Sequence, residues 1–251
     1  MSLFDLSGRW AIVTGANTGI GRAIAIGLAA AGADIVGVGR SAMTDTEAEV
    51  RAAGRQFRSV TLDLSRLCSA AAVISEALAA GATPDILVNN AGIIRRADSL
   101  DFTEEDWDAV LDTNLKSVFF LCQAFARAAI AAGRPAKIVN IASLLSFQGG
   151  IRVPSYTAAK SGLAGITRLL ANEWAAHGIN VNAIAPGYVE TNNTTALRAD
   201  AERNADILKR IPAGRWARPE DMAGAAVFLA SPASDYVHGA ILPVDGGWLA
   251  R

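Results

Sequence analysis

The chain has 251 residues, enough for one large domain or two small ones. Lys and Arg total 23 against 24 Asp and Glu, a net charge of −1 that removes the counterion-release drive behind non-specific nucleic-acid binding. With 51% hydrophobic and 19% charged residues, the composition excludes a disordered chain and supports a large buried core.

Asp5 and Arg9 precede the first apolar run, so no secretory signal is visible and a cytoplasmic location is expected. The seven expected strands are Trp10–Val13, Ile35–Val38, Ser59–Leu62, Ile86–Val88, Lys137–Ile141, Ile179–Ala185 and Ala240–Val244. These runs are continuously apolar, which suits strands covered on both faces of a parallel sheet. Between them lie Ala-rich helical segments, Gly21–Ala31, Asp106–Ala132 and Tyr156–His177 among them. The expected fold class is therefore α/β, a single doubly wound (Rossmann) domain over residues 1–251, with a seven-stranded parallel sheet flanked by helices on both faces. A more polar helical stretch, Arg198–Arg210, follows the sixth strand. It reads either as a substrate-covering insert near 190–212 or as a solvated surface helix. The longest apolar or small-residue run, Ala23 to Ala33, is far short of the ~20 residues that span a bilayer, so no membrane association is expected. Cys68, Cys122, His177 and His238 have no metal-type spacing. No metal is expected, and both cysteines read as buried small residues.

The first strand runs straight into Thr14-Gly15-Ala16-Asn17-Thr18-Gly19-Ile20-Gly21, and a helix follows. Glycines there allow a tight turn and a close approach to a diphosphate, while the helix N-terminus offers unpaired N–H groups. Tyr156 and Lys160 are four residues apart and share a helix face. A phenol is too weak an acid to serve as a base at neutral pH, and a nearby ammonium would lower its pKa. Such a pair suits proton exchange with an alcohol, and Ser143 lies just past a strand end, thirteen residues before Tyr156.

In that order, Thr14–Gly21, Asn89-Asn90-Ala91-Gly92, Asn114, Ser143, Tyr156–Lys160 and Pro186-Gly187 resemble the motifs of the short-chain dehydrogenase/reductase family, from Leu6 to Gly247. The resemblance implies a catalytic set of Asn114, Ser143, Tyr156 and Lys160. Tyr156 would be the proton donor or acceptor, Ser143 would hydrogen-bond the substrate oxygen, Lys160 would hold the nicotinamide ribose, and Asn114 would hold a relay water. It also implies a dinucleotide held by Gly15, Asn17, Thr18, Gly19, Ile20, Gly21, Arg40, Asp63, Leu64, Asn90, Ala91, Gly92, Tyr156, Lys160, Pro186, Gly187, Val189 and Thr191. At the tip of the second strand stand Gly39, Arg40 and Ser41 with no carboxylate. A guanidinium there suits a 2′-phosphate, so NADP is preferred and NAD remains possible. Thr18 is a departure, because many NADP-using relatives carry a basic residue at that place.

Gly92–Asp98, Ser146–Tyr156, Ala185–Tyr188 with Thr191–Thr194, Arg210–Trp216 and Val244–Arg251 are similar to one subgroup of that family. It interconverts a hydroxyl and a ketone on deoxy sugar acids of the 2-dehydro-3-deoxy-D-gluconate or 2-deoxy-D-gluconate type, in hexuronate catabolism. Its better-known members are expected to be NAD-linked, which Gly39-Arg40 does not match. For such a substrate Arg95, Ser143, Gln148, Arg152 and Asn192 are the candidate contacts, with Arg96 and Asn193 beside them; the arginines read equally as surface or interface residues. The alternatives are a 3-oxoacyl thioester reductase and, from a different class, a non-catalytic dinucleotide-sensing regulator. The family also implies a homotetramer, packed through Asp106–Ala132 and Tyr156–His177 with Phe120 and Leu170 in the contact. Trp248 and Arg251 would then reach a neighbouring subunit's site.

Overall fold

Seven short runs form parallel strands: β1 (Trp10–Thr14), β2 (Asp34–Gly39), β3 (Phe57–Thr61), β4 (Pro84–Asn89), β5 (Ala136–Ile141), β6 (Ile179–Pro186) and β7 (Ile241–Val244). They pair in the order β3-β2-β1-β4-β5-β6-β7. The computed structural model describes residues 3–65 and 69–251, so Cys68 lies outside the described residues. The helices are α1 (Gly19–Ala30), α2 (Thr44–Ala52), α3 (Ser69–Ala79), α4 (Glu104–Leu111), α5 (Ser117–Ala131), α6 (Pro154–Trp174), α7 (Thr195–Ala199), α8 (Ala201–Arg210) and α9 (Ala223–Ala230).

The side-chain period of two in a strand builds both cores at once. Trp10 and Ile12 of β1 join Val36, Val38 and Leu87 against Phe125 and Leu163 of α5 and α6. Ala11 and Val13, one residue out of phase, join Ile35, Ile86 and Val88 against Leu28 of α1 and Leu229 of α9. Every residue of β1, β2, β4 and β6 is buried, which is why these runs are mostly apolar, and their buried polar side chains, such as Asn89, Asn180 and Asn182, are hydrogen-bonded. Each large side chain so enclosed contributes about 1.5–3 kcal/mol. The strand order reverses between β1 and β4, and the cleft beyond the strand ends at that point is where this architecture places ligands.

The structure departs from the sequence reading in several places. The expected helix over 106–132 is α4 and α5 joined by a π turn, Asp112–Lys116. A wider turn of this kind leaves no trace in hydrophobic period, because both flanks keep the helical repeat. The expected insert 198–210 is two helices divided at Asp200, whose side chain accepts the Arg203 N–H at 3.0 Å and so starts α8. Leu170 is 1% exposed and belongs to the core, so it is no contact residue; Leu169 and Phe120 are the exposed neighbours, at 47% and 39%. Cys122 is buried, as expected. Among the described residues no helix is long and apolar enough to cross a membrane.

Candidate active site

The turn after β1 is built around two close approaches. Gly15 and Gly19 have φ of +67° and +54°, the left-handed region that side chains disfavour. A Cβ on Gly21 would lie 2.3 Å from both the Gly15 carbonyl oxygen and Asn90 Nδ2. Asn90 therefore sits directly against the turn, donating from Nδ2 to the Thr14 carbonyl at 2.9 Å. The Thr14 hydroxyl accepts from the backbone N–H groups of Asn90 and Ala91, which ties β1 to the segment after β4. The first turn of α1 has no side-chain cap and no acidic residue, so its N–H groups face outward unpaired by either.

Asn114, fully buried in the π turn, clamps the same segment from the other side. Its Oδ1 accepts from Ile93 N at 2.8 Å and its Nδ2 donates to Ile93 O at 2.7 Å. The side chain is thus engaged with the Ile93 backbone. Sequence alone places Asn114 on a helix without showing that a π turn points it at Ile93.

Ser143 follows β5, and Tyr156 and Lys160 lie in the first two turns of α6, which Pro154 opens. The Ser143 side chain bonds the Tyr156 phenol. Lys160 Nζ lies 5.6 Å from the centre of the Tyr156 ring and donates to the Ile141 carbonyl at the end of β5, at 2.6 Å. Ser146 Oγ donates to the Lys160 carbonyl and Ser161 Oγ to the Leu145 carbonyl, so the loop after β5 is held against α6. Burial raises the Tyr156 phenol above the ordinary tyrosine value, while the Ser143 hydrogen bond and the Arg96 charge pull it down. Burial also lowers the Lys160 ammonium to about 8. Lys160 Nζ is bonded to Ile141, and the groups that lower Tyr156 are Ser143 and Arg96.

Ser143 and Tyr156 open into a cavity of about 890 Å³ that Arg96, Gln148, Arg152, Tyr188, Asn193 and Trp248 help to line. Ile20, Pro186, Gly187, Val189 and Thr191 also line it. Two expected contacts fall elsewhere. Arg95 turns away to Asp106, 3.0 Å distant, and it is Arg96 that faces the cavity. Asn192 lines a separate hollow beside Gly19 and Arg22, whereas Asn193 and Thr194 line the main one. The three form a 3₁₀ turn, whose successive side chains point about 120° apart. Arg152 is the one non-glycine at positive φ among the described residues, at +61°, and pairs with Asp98 at 3.3 Å. Trp248 lines this chain's own cavity and Arg251 donates to the Lys209 carbonyl. Sequence reasoning missed the α8 face Arg203, Ile207 and Arg210, at spacings of four and three, which also lines the cavity. Its helical period was the available signal.

At the far end of the turn, Arg40 is exposed just beyond β2, next to the hydrogen-bonded pair Asn17 and Ser41. Asp63 accepts from the Ser65 backbone and hydroxyl, and Leu64 is buried.

A Gly-rich turn opening a helix, and a Ser–Tyr–Lys cluster at the strand ends, define a dinucleotide-dependent oxidoreductase. The chain belongs to the short-chain dehydrogenase/reductase family: residues 15–249 match the family model described as enoyl-(acyl carrier protein) reductase. The chain is 60% identical over 251 residues to the 2-dehydro-3-deoxy-D-gluconate 5-dehydrogenase of Escherichia coli strain K12, covering 100% of this chain and 99% of that protein. A structure from Agrobacterium tumefaciens described as a putative 2-deoxy-D-gluconate 3-dehydrogenase with bound NADP is 64% identical, with a TM-score of 0.94 and 100% of both chains covered. A structure from Beutenbergia cavernae described as a putative NAD(P)-dependent gluconate 5-dehydrogenase, with NADP at low occupancy, is 52% identical, with a TM-score of 0.95 and 100% of both chains covered.

Proposed function

We propose that this chain interconverts a hydroxyl and a ketone on a deoxy sugar acid of the 2-dehydro-3-deoxy-D-gluconate or 2-deoxy-D-gluconate type, with NADP preferred over NAD, as a cytoplasmic homotetramer in hexuronate catabolism. The observation that carries this reading is the convergence of Ser143, Tyr156 and several arginines on one cavity of about 890 Å³. The names and bound NADP of the similar proteins support the substrate class and the dinucleotide.

The residues present fit a dinucleotide. Gly15, Gly19 and Gly21 leave room for a diphosphate at the uncapped N-terminus of α1, and Asn17, Thr18 and Ile20 complete that turn. Arg40 would meet the 2′-phosphate, Asp63 and Leu64 would flank the adenine, and Asn90, Ala91 and Gly92 would shape the adenosine ribose side. Pro186, Gly187, Val189 and Thr191 would cover the nicotinamide. The dinucleotide, when bound, supplies or accepts the hydride. Tyr156 gives its phenolic proton to the substrate carbonyl oxygen, or takes one from the hydroxyl in the reverse direction. With substrate bound, Ser143 turns its one hydroxyl hydrogen to the same oxygen. Lys160 would hold the ribose hydroxyls, and Asn114 fixes the Ile93 segment. Arg96, Gln148, Arg152 and Asn193 face the acid's carboxylate and hydroxyls, and the 190–212 insert covers them.

A 3-oxoacyl thioester fits the cavity less well, because an acyl chain would leave its arginines desolvated and unpaired. The deciding experiment is an initial-rate assay with each sugar acid and with NAD and NADP at matched concentrations. Turnover is expected, with Arg40→Ala raising the NADP KM at least about tenfold and leaving the NAD KM nearly unchanged. Equal effects on both dinucleotides would remove the phosphate role of Arg40, and no turnover with either acid would remove the substrate class.

A further inference from the structure

On the cavity wall contributed by α8, Arg203 and Arg210 stand beside Asp200 and Asp206, and neither carboxylate forms a salt bridge with them. Arg152 has Asp98, and Arg95 has Asp106 outside the cavity. Asp206 lies 3.6 Å from Lys209 Nζ, and Asp200 caps α8. Among the described residues Arg96, Arg203 and Arg210 have no salt-bridge partner; Arg96 donates to the Asn193 carbonyl at 3.0 Å, and Arg210, itself exposed, is the one that lies over an aromatic ring. Its guanidinium carbon lies 4.1 Å from the centre of the Trp248 ring. A guanidinium stacked in this way keeps its donor edge free for a planar acceptor.

Trp248 is itself held. It is 4% exposed, lies 4.7 Å from the Tyr188 ring centre, and follows a turn in which Asp245 accepts from Gly247 N and Leu249 N, both at 2.9 Å. Its indole N–H donates to Gln148 Oε1 at 3.3 Å, and Arg210 Nη2 donates to the same oxygen at 3.5 Å. Because the indole can only donate, the acceptor must be the amide oxygen. Two donors therefore meet the Gln148 carbonyl, and its Nε2 hydrogens have no protein acceptor among the described residues. Three elements far apart in sequence thus present only donors to the cavity: the Arg210 fork and the Gln148 amide, on a Trp248 base.

We propose that Arg210 and Gln148, held by Trp248, form the subsite that anchors the substrate's carboxylate and so selects acids over neutral polyols. The inference rests on the sugar-acid reading above and names the groups that enforce it. A carboxylate accepts two donors side by side, which a fixed fork supplies with little ordering cost. A terminal hydroxymethyl group offers no charge to the same fork.

The test measures binding by calorimetry in the presence of dinucleotide, with 2-deoxy-D-gluconate and with 2-deoxy-D-glucitol, in which a hydroxymethyl replaces the carboxylate. Arg210→Met keeps the stem that covers Trp248, and Gln148→Glu places a carboxylate against Arg210 without removing packing. Each is expected to weaken the acid roughly 10- to 100-fold and the alcohol less than about 3-fold. Equal losses for acid and alcohol would make the cluster merely structural and overturn the proposal. So would loss of acid binding in Arg203→Met or Arg96→Met while Arg210→Met binds as the native protein does. Turnover is read on the same samples. Acid binding that depends on Arg210 without oxidation removes the proposed reaction and keeps the subsite, whereas failure of the native protein to bind the acid removes both.

Discussion

Tyr156 and Lys160 are paired by one helical turn yet sit in different electrostatic settings. Tyr156 is raised by burial and moderated by Ser143 and Arg96, while Lys160 is lowered to about 8 and donates to Ile141. Tyr156→Phe removes the proton without removing the ring, and is expected to cut kcat about 10²- to 10⁴-fold while leaving NADPH affinity, read by fluorescence, within a few-fold. Lys160 also governs stability against pH. Its ammonium is disfavoured in the folded chain, so between about pH 8 and the ordinary lysine value of 10.5 the unfolded chain binds the extra proton. Its contribution therefore rises with pH across that window, and below pH 8 it carries its full cost of roughly 3 kcal/mol. Urea unfolding of Lys160→Met from pH 7 to 10 is expected to lose that rising limb; an unchanged slope would mean that the ammonium is well solvated. Tyr156 acts oppositely and at higher pH, since its proton is held more tightly in the folded chain than in the unfolded one. At this scale the residue types and their spacing were legible in the sequence. What was not legible was the Ile141 carbonyl that captures Lys160, which comes from a strand 19 residues away.

The elements place these residues by devices that differ in how far they reach along the chain. The glycine turn is local, and its sequence shows both its position and its purpose. The π turn Asp112–Lys116 is local too, but only the buried contact between Asn114 and Ile93 shows why it is there. Asn114→Ala leaves the Ile93 N–H and C=O without their partner and is expected to cost about 2–4 kcal/mol. Differential denaturation measures this, and a loss below about 0.5 kcal/mol would show that water replaces the amide. The α8 face is the element least legible in advance. Asp200 starts the helix, and Ile207, at 1% exposure, seats it on the cluster of Trp216 and Trp248. A polar surface helix and a cavity wall have the same sequence pattern until the partner beneath is known.

Across the whole molecule, the two faces of the sheet are covered by α1 and α9 on one side and by α5 and α6 on the other. Trp107, Phe120 and Leu169 remain 41%, 39% and 47% exposed on α4, α5 and α6, a set that suits the proposed association of subunits. Phe120→Glu is expected to shift the particle mass in light scattering from tetramer toward smaller species with the fold retained. Leu170→Glu, by contrast, buries an unpaired charge and is expected to abolish folding. A tetramer that survives Phe120→Glu would move the contact to another face.

Periods of two and of three to four, read along one chain, were enough to determine the doubly wound sheet, because burial on both faces forces continuous apolar strands and one-sided helices. The Gly-rich turn was legible from its glycines between a strand and a helix, whereas the Ser143–Tyr156–Lys160 set followed from the family resemblance of several motifs taken together. Only the tertiary structure decided which arginine faces the cavity and which is held by Asp106, where Asn114 spends its amide, and that Trp248 folds under Arg210 of its own chain. Those outcomes depend on contacts between segments 11 to 100 residues apart, from Arg95 with Asp106 to Gln148 with Trp248. A local pattern states what a side chain can do, and the packing of distant elements states what it meets.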